Sequence, residues 1–373
     1  MKKINASDYT LIFTVASLLL IGIVVIASVS TMPSQQIFGT PYYYLGRHII
    51  HILMGIMAGF LAFKVKLNLL KKWSVPLLGI NLVLLVLVLK FGFSSGGATR
   101  WMLIGPIMIQ PSEFLKLILI VFLAAWLEKV ADQAGNKKKN RKGDRETKKA
   151  FIISLSFFLI STALLLAQPD FGTTVIIFSI FAIMYFLTGT PLWHTITLGL
   201  GGLASLAILI KIAPYRVDRL LTFLNPDLDL MGKGYQIKQA FIAIGSGGLF
   251  GLGLGMSRQK FGFLPETMTD TIFATFAEET GFIGSLLLIS LLILFLWIGI
   301  GIIKKSSDMF CSLMSTGIVS WIIIQAFVNI GGVVGVLPFT GIPLPFISYG
   351  GSHLLTELTA VGLLLNISKN KRA

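Results

Sequence analysis

Cysteine is almost missing from this chain of 373 residues: Cys311 stands alone, so no intrachain disulfide can form. Histidine is scarce as well, with four residues. His48 and His51 lie three apart, but no neighbouring carboxylate or cysteine completes a metal-ligand set, so both read as structural or interfacial. Charge is thin. Asp, Glu, Lys and Arg make up 13% of the residues, against roughly 25% in an average soluble domain. Acids are the scarcer sign, 16 against 31 Lys and Arg, which leaves a net charge of +15. These shortages exclude a disulfide scaffold, a Cys/His metal module and a separate soluble domain.

What is present in quantity is apolar: 55% of residues, in runs over 9–29, 49–63, 75–89, 117–127, 150–167, 171–187, 192–210, 271–303, 309–337 and 344–367. A helix needs about 20 residues to cross a bilayer. The runs predict an all-α, polytopic membrane protein with about ten transmembrane helices, forming a single transmembrane domain over 1–373. Lys2 and Lys3 precede the first run, as in a signal peptide, but the run is longer than the usual apolar region of about 7–15 residues. It reads as an uncleaved first span.

The positive charge follows topology and does not indicate nucleic acid. With the N-terminus inside, most of the 31 basic residues fall on cytoplasmic segments. Short loops rich in Lys and Arg stay cytoplasmic, so both termini are expected inside. The segment 128–149, with its run NKKKNRKGDRETKK, reads as a basic cytoplasmic loop touching anionic lipid. Residues 211–270 then form a large extracytoplasmic loop.

Three segments break the hydropathy pattern. The first, 96–116, carries Arg100, Glu113 and Lys116 into the fourth helix, with Pro111 suited to a first helical turn. Glu113 and Lys116 share a helix face. The set is either a snorkelling lysine with a local ion pair or a cationic pocket for a phosphate-bearing headgroup. The second, 240–256 in the long loop, is apolar and glycine-rich, which suits a re-entrant element lining a cavity better than a span. Its glycines serve tight packing or a close approach to phosphate. The third, 338–358, has Pro338, Pro343 and Pro345, then Ser348, Gly350, Gly351 and Ser352 opening the last helix. Those serines are either caps or part of an anion site at a helix N-terminus.

Between the second segment and the next span lies LPETMTDTIFATFAEETG, 264–281. It holds one carboxylate, Asp270, where the long loop turns back into lipid. Ionisable groups at the hydrocarbon edge default to a functional hypothesis. Asp270 is either a helix N-cap or a general base.

Together these segments resemble the SEDS family (shape, elongation, division and sporulation) of peptidoglycan polymerases. The likeness rests on TRW at 99–101, QPSEFLK at 110–116, QPDFGT at 168–173, GYQIKQA at 234–240, AIGSGGLFGLGLG at 243–255, LPETMTD at 264–270 and TGIPLPFISYGGS at 340–352. It covers almost the whole chain, and 251–266 is similar to the division branch, FtsW. Two departures stand out: ETMTDTIFA replaces the family's usual E-H-T-D-F-I-F-A, and Ser352 is followed by His353 where the family has a second serine.

The resemblance implies ten helices and polymerisation of lipid II, with the essential aspartate at Asp270 and the headgroup-site basic residues at Arg100 and Lys116. Gln110, Glu113, Ser348, Gly350, Gly351 and Ser352 complete the expected substrate-binding set. No metal ligands are expected. A divalent cation, magnesium or manganese, would suit the pyrophosphate, but no residue set specifies one. The chemistry expected is attack by the acceptor's 4-hydroxyl on the donor's anomeric carbon, with inversion. A flippase or transporter of the same lipid-linked precursor is the rival reading. The resemblance further implies the growing glycan strand, a class B penicillin-binding transpeptidase and membrane proteins of the division or elongation complex as partners. It places the chain in the bacterial cytoplasmic membrane, at the division septum. Lipid-facing surfaces of the later helices, such as 321–327, and the long outer loop are expected to offer the contact surface.

Overall fold

Long apolar runs leave backbone N–H and C=O groups no partner in lipid except one another, and the chain folds into helices accordingly. The computed structural model describes residues 6–95, 98–105, 107–134, 141–190, 193, 196–197, 199–202, 204, 211, 214–229 and 232–369. The helices are α1 (Ala6–Val29), α2 (Thr31–Phe38), α3 (Tyr43–Lys64), α4 (Leu67–Phe91), α5 (Pro111–Ala134), α6 (Arg141–Ala167) and α7 (Phe171–Phe186). After them come α8 (Pro214–Leu224), α9 (Lys233–Gly247), α10 (Ile272–Lys304), α11 (Met309–Val333) and α12 (Gly351–Lys369). Among the described residues, six helices are long and apolar enough to cross a membrane: α1, α3, α4, α6, α10 and α11. The architecture is all-α and polytopic. Most of the span expected over 192–210 lies outside the described residues, as do 135–140 of the basic loop. The rest of that loop is helical, as the ends of α5 and α6.

Four expectations change in detail. The segment before α5 is a small antiparallel meander and not a plain loop: β1 (Phe93–Ser95), β2 (Ala98–Ile104) and β3 (Ile107–Ile109). Gly105, at φ +62°, supplies the turn between β2 and β3. The last helix begins at Gly351, within the 348–352 stretch expected to open it, and the apolar run from 344 is not helical throughout, because three prolines and a left-handed Phe346 keep 338–350 irregular. Trp321 is fully buried while Phe327 is exposed, so 321–327 is not one outward surface.

The fourth change is in α10. It is not one straight span: Gly281, at φ +68° and ψ −163°, breaks it. The glycine-rich backbone after α9 fills the break. Leu252 and Gly253 N–H groups donate to the Glu278 and Glu279 carbonyls at 2.9 and 3.0 Å, and Phe282 N–H donates to Gly248 O at 2.9 Å. A Cβ on Gly247 would stand 2.2 Å from Ala277 O, and one on Gly251 2.2 Å from Glu279 O. These glycines allow two backbones to touch, which is the packing role.

The same device joins α3 and α12, where a Cβ on Gly362 would stand 2.0 Å from Gly59 O. Small residues at helix crossings let backbones approach closely. The core is mostly Leu, Ile and Val, with the aromatic side chains of Phe122, Phe181, Phe295, Trp321 and Phe346 almost fully buried among them.

Candidate functional site

Asp270 sits in the turn that leads into α10, one residue before the N-cap position, Thr271. It is half-buried. Its turn is tied down at three successive carbonyls. Met268 O accepts from Tyr349 N–H at 2.8 Å, Thr269 O from the Ser348 hydroxyl at 2.7 Å, and Asp270 O from Asn329 Nδ2 at 2.9 Å. On the near side, Thr269 Oγ donates to Glu266 Oε2 at 2.9 Å, and Glu266 itself adopts φ +56°. A carboxylate on a turn braced in this way has little freedom to drift. Preorganisation of that kind is what proton transfer in a transition state requires.

The brace is the loop 338–350, and buried side chains hold it. Asn329 Nδ2 also donates to Ile342 O at 2.7 Å, and Gln325 Nε2 to Pro343 O at 3.1 Å. Glu357 Oε2 accepts from Phe346 N–H at 2.8 Å, and Ser348 Oγ from Leu344 N–H at 2.8 Å. This wiring holds Phe346 at φ +64° with its side chain fully buried. Such strain, about 1–3 kcal/mol, persists only where the surroundings over-determine it.

Lys116 is joined to this loop through Gln325. Its ammonium, 1% exposed, donates to Gln325 Oε1 at 2.8 Å, pairs with Glu113 Oε2 at 2.8 Å and lies 5.1 Å from the Trp321 ring centre. Trp321 Nε1 donates to the same Gln325 oxygen at 2.7 Å, and Gln325 Nε2 donates to Glu357 Oε1 at 3.2 Å. Lys116, expected at the headgroup, is therefore an interior residue wired to the loop. Glu113 is its buried partner.

Arg100 lies on β2. Its guanidinium donates to Gln168 O at 3.4 Å and to Pro169 O, and stands 4.0 Å from Asp170 Oδ1. Asp170 in turn caps α7 by accepting from Thr173 N–H at 3.3 Å. The start of α7 abuts the central loop, since a Cβ on Gly172 would lie 2.7 Å from the Ile342 side chain. Arg100 remains partly open to solvent, at 22% side-chain exposure.

The remaining expected residues gather at the start of α12. Gln110 N–H donates to Ser352 Oγ at 3.0 Å, joining the end of the meander to the last helix. Gly350 and Gly351 are half-buried, and a Cβ on them would crowd the His353 ring at 2.5 Å and the His51 ring at 3.0 Å. The Ser348 hydroxyl is engaged within the protein and Ser352 is buried against Gln110. The structure thus separates two groups. Asp270, Arg100, Gln110, Gly350 and Gly351 are partly exposed; Lys116, Glu113, Ser348 and Ser352 lie inside, where Ser348 binds the loop directly and Lys116 through Gln325.

A second buried cluster anchors the long loop. Glu278 accepts from the Ser257 hydroxyl and from Arg258 N–H at 3.0 Å. Glu279 accepts from Ser28 Oγ at 2.5 Å and pairs with Lys260 at 3.5 Å, while Lys260 donates to Gly255 O at 2.6 Å. This wraps the S-x-x-K run, 257–260, around the base of the broken helix. Among the described residues, no group of three or more His, Cys, Asp or Glu could hold a metal ion.

Sequence reasoning passed over Gln325, Asn329 and Glu357. A signal existed: Gln325 and Asn329 stand at i, i+4 in an otherwise apolar helix, and polar side chains there face the interior.

Fold and site together define a class: a helical membrane protein whose interior ion network supports a half-buried carboxylate on a braced turn. The chain belongs to the FtsW/RodA/SpoVE family, whose profile, described as "Cell cycle protein", matches residues 9–373. It is 40% identical over 372 residues to stage V sporulation protein E of Bacillus subtilis, covering 99% of each chain. It is 38% identical over 366 residues to the probable peptidoglycan glycosyltransferase FtsW of Idiomarina loihiensis, covering 97% of this chain and 87% of that one. Among solved structures it is similar to a chain of a peptidoglycan synthase complex that coordinates polymerization and crosslinking, with TM-score 0.77, 28% identity and 98% of each chain covered. The rod shape determining protein RodA of Thermus thermophilus matches at TM-score 0.70 and 27% identity, over 99% of this chain and 98% of that one.

Proposed function

We propose that this chain is a peptidoglycan glycosyltransferase that polymerises lipid II into β-1,4 glycan strands by a single inverting displacement. The observation that carries the reading is the half-buried Asp270 carboxylate on a turn whose carbonyls at 268, 269 and 270 are all tied to the 338–350 loop or α11. Relatives that carry the name glycosyltransferase match along nearly the whole chain.

Asp270 accepts the proton from the acceptor sugar's 4-hydroxyl as its oxygen attacks the donor's anomeric carbon. The bond to the lipid pyrophosphate breaks and that group departs with the electron pair. A positioned base contributes about 10²–10⁴ in rate. Arg100 faces the leaving group: its guanidinium carries five N–H donors, so its carbonyl contacts leave capacity for phosphate. Stabilising charge where it develops often accelerates such a reaction more than the base does. Lys116 acts at one remove, by holding Gln325 and through it Pro343. Gln110, Gly350 and Gly351 line the open side. No step is routed through a divalent cation.

The chain sits in the bacterial cytoplasmic membrane as a multi-pass protein. Cytoplasmic termini and a septal location follow from the basic segments and the division-branch likeness. A class B penicillin-binding transpeptidase supplies crosslinking; a structural neighbour drawn from a complex coordinating polymerization and crosslinking supports that pairing. The rival, transport of the same precursor, draws on the helix break at Gly281, since broken helices mark many carriers.

Purified protein with lipid II in detergent separates the two. Glycan chains longer than the precursor identify a polymerase, whereas a carrier makes no product. Asp270→Asn is expected to fold and bind lipid II but to lose polymerisation by about 10²-fold or more. Near-normal synthesis by that folded variant would overturn the base assignment.

A further inference from the structure

Asn329 occupies an unusual position for a polar residue on a membrane helix. It is 4% exposed, and its single amide nitrogen spans two separate chain segments. One N–H reaches Asp270 O at 2.9 Å and the other reaches Ile342 O at 2.7 Å. Ile342 follows Gly341, and Gly341 packs close to the Asp270 side chain. A Cβ placed on Gly341 would stand 3.1 Å from Asp270 Oδ2, and at its φ of +70° any other side chain would be strained. One planar amide thus fixes both the backbone that carries the carboxylate and the strand of loop that the carboxylate abuts.

Asn329 also carries a cost. Its Oδ1 is buried and finds no hydrogen-bond partner among the described residues. Leaving a buried acceptor unmet is unfavourable, and the pair of donors is what the site gains in return. A hydroxyl offers one donor, a carboxylate none, and a leucine none at similar volume. Gln325, one turn earlier, reaches the neighbouring carbonyl of Pro343, so α11 presents an amide ladder to this loop.

We infer that Asn329 is a positioning residue that sets the orientation of Asp270 for proton transfer, by clamping the Asp270 and Ile342 carbonyls to one amide group. The inference rests on the reading of Asp270 as the base. It predicts a defect in turnover and not in precursor binding, because Asn329 lies behind Asp270 and is closed to substrate.

The test compares Asn329→Leu, Asp270→Asn and the double variant, as full-length protein in detergent, by lipid II polymerisation. Asn329→Leu is expected to lower kcat by about 10- to 10²-fold, the scale of a misplaced catalytic group, with KM for lipid II held. Added to Asp270→Asn it should cost nothing further, since the group it aims is already disabled. Unchanged kcat per folded molecule, or losses that multiply in the double variant, overturns the inference and leaves Asn329 a structural residue. If leucine prevents folding, Asn329→Ser keeps one donor and carries the same test: a fall in kcat at constant KM supports the clamp, and an unchanged kcat overturns it. An active Asp270→Asn sinks the base reading itself. An inactive Asp270→Asn beside a normal Asn329→Leu sinks this inference alone.

Discussion

Gly281 and Gly251 meet backbone to backbone: a Cβ on Gly281 would stand 2.3 Å from the Gly251 amide nitrogen. That contact seats the long loop in the break of α10, directly behind the helical turns that follow Asp270. With Glu278 and Glu279 gripping Ser257 and Lys260, it makes the loop and the helix one body.

Gly281→Ala is therefore expected to loosen the loop. The position combines positive φ with no room for a methyl group, and an alanine incompatible with its backbone destabilises by more than about 1 kcal/mol. A lower Tm in detergent and faster proteolysis within 248–271 are the expected readings. A variant with unchanged Tm and cleavage would show that the break does not depend on glycine.

Lys116→Met removes a cation from a closed network and leaves Glu113 and Gln325 without it. Breaking a buried ion pair by deleting one partner costs about 3–5 kcal/mol. The expected result is a large fall in Tm, partly restored by adding Glu113→Gln. If Lys116→Met instead kept its Tm and lost only affinity for lipid II, the lysine would belong to the headgroup site after all.

Arg100→Lys keeps the charge but loses the planar fork that spans the Gln168 and Pro169 carbonyls. Arginine and lysine are not interchangeable at such a site. We expect Arg100→Lys to resemble Arg100→Ala in weakened lipid II binding and reduced turnover, measured by binding isotherm and polymerisation rate. Full rescue by lysine would mean that charge alone matters there.

Much of the fold was legible because lipid leaves few choices. Apolar runs of about 20 residues must become helices, and six described helices meet that criterion. Their ends were less legible. The run at 271–303 carries no proline to mark a break, and the break at Gly281 is matched to another backbone that occupies the space beside it. The meander at 93–109 escaped because β1 and β3 have only three residues each, too short for a periodic signal, and the seven residues of β2, ATRWMLI, do not alternate strictly.

The sequence by itself determined the class of protein, the family motifs and the candidate carboxylate, since composition and local order carry those. Tertiary structure decided what each polar residue does. Lys116 and Ser348 carry the same chemistry in a buried brace as at an open headgroup site, and only their neighbours tell the two apart. Asp270 precedes a helix in sequence, yet its turn is held by Asn329, Ser348 and Tyr349, which lie 59 to 81 residues away along the chain. Pairings of that separation depend on how helices pack, and helix packing is a property of the whole chain folded at once.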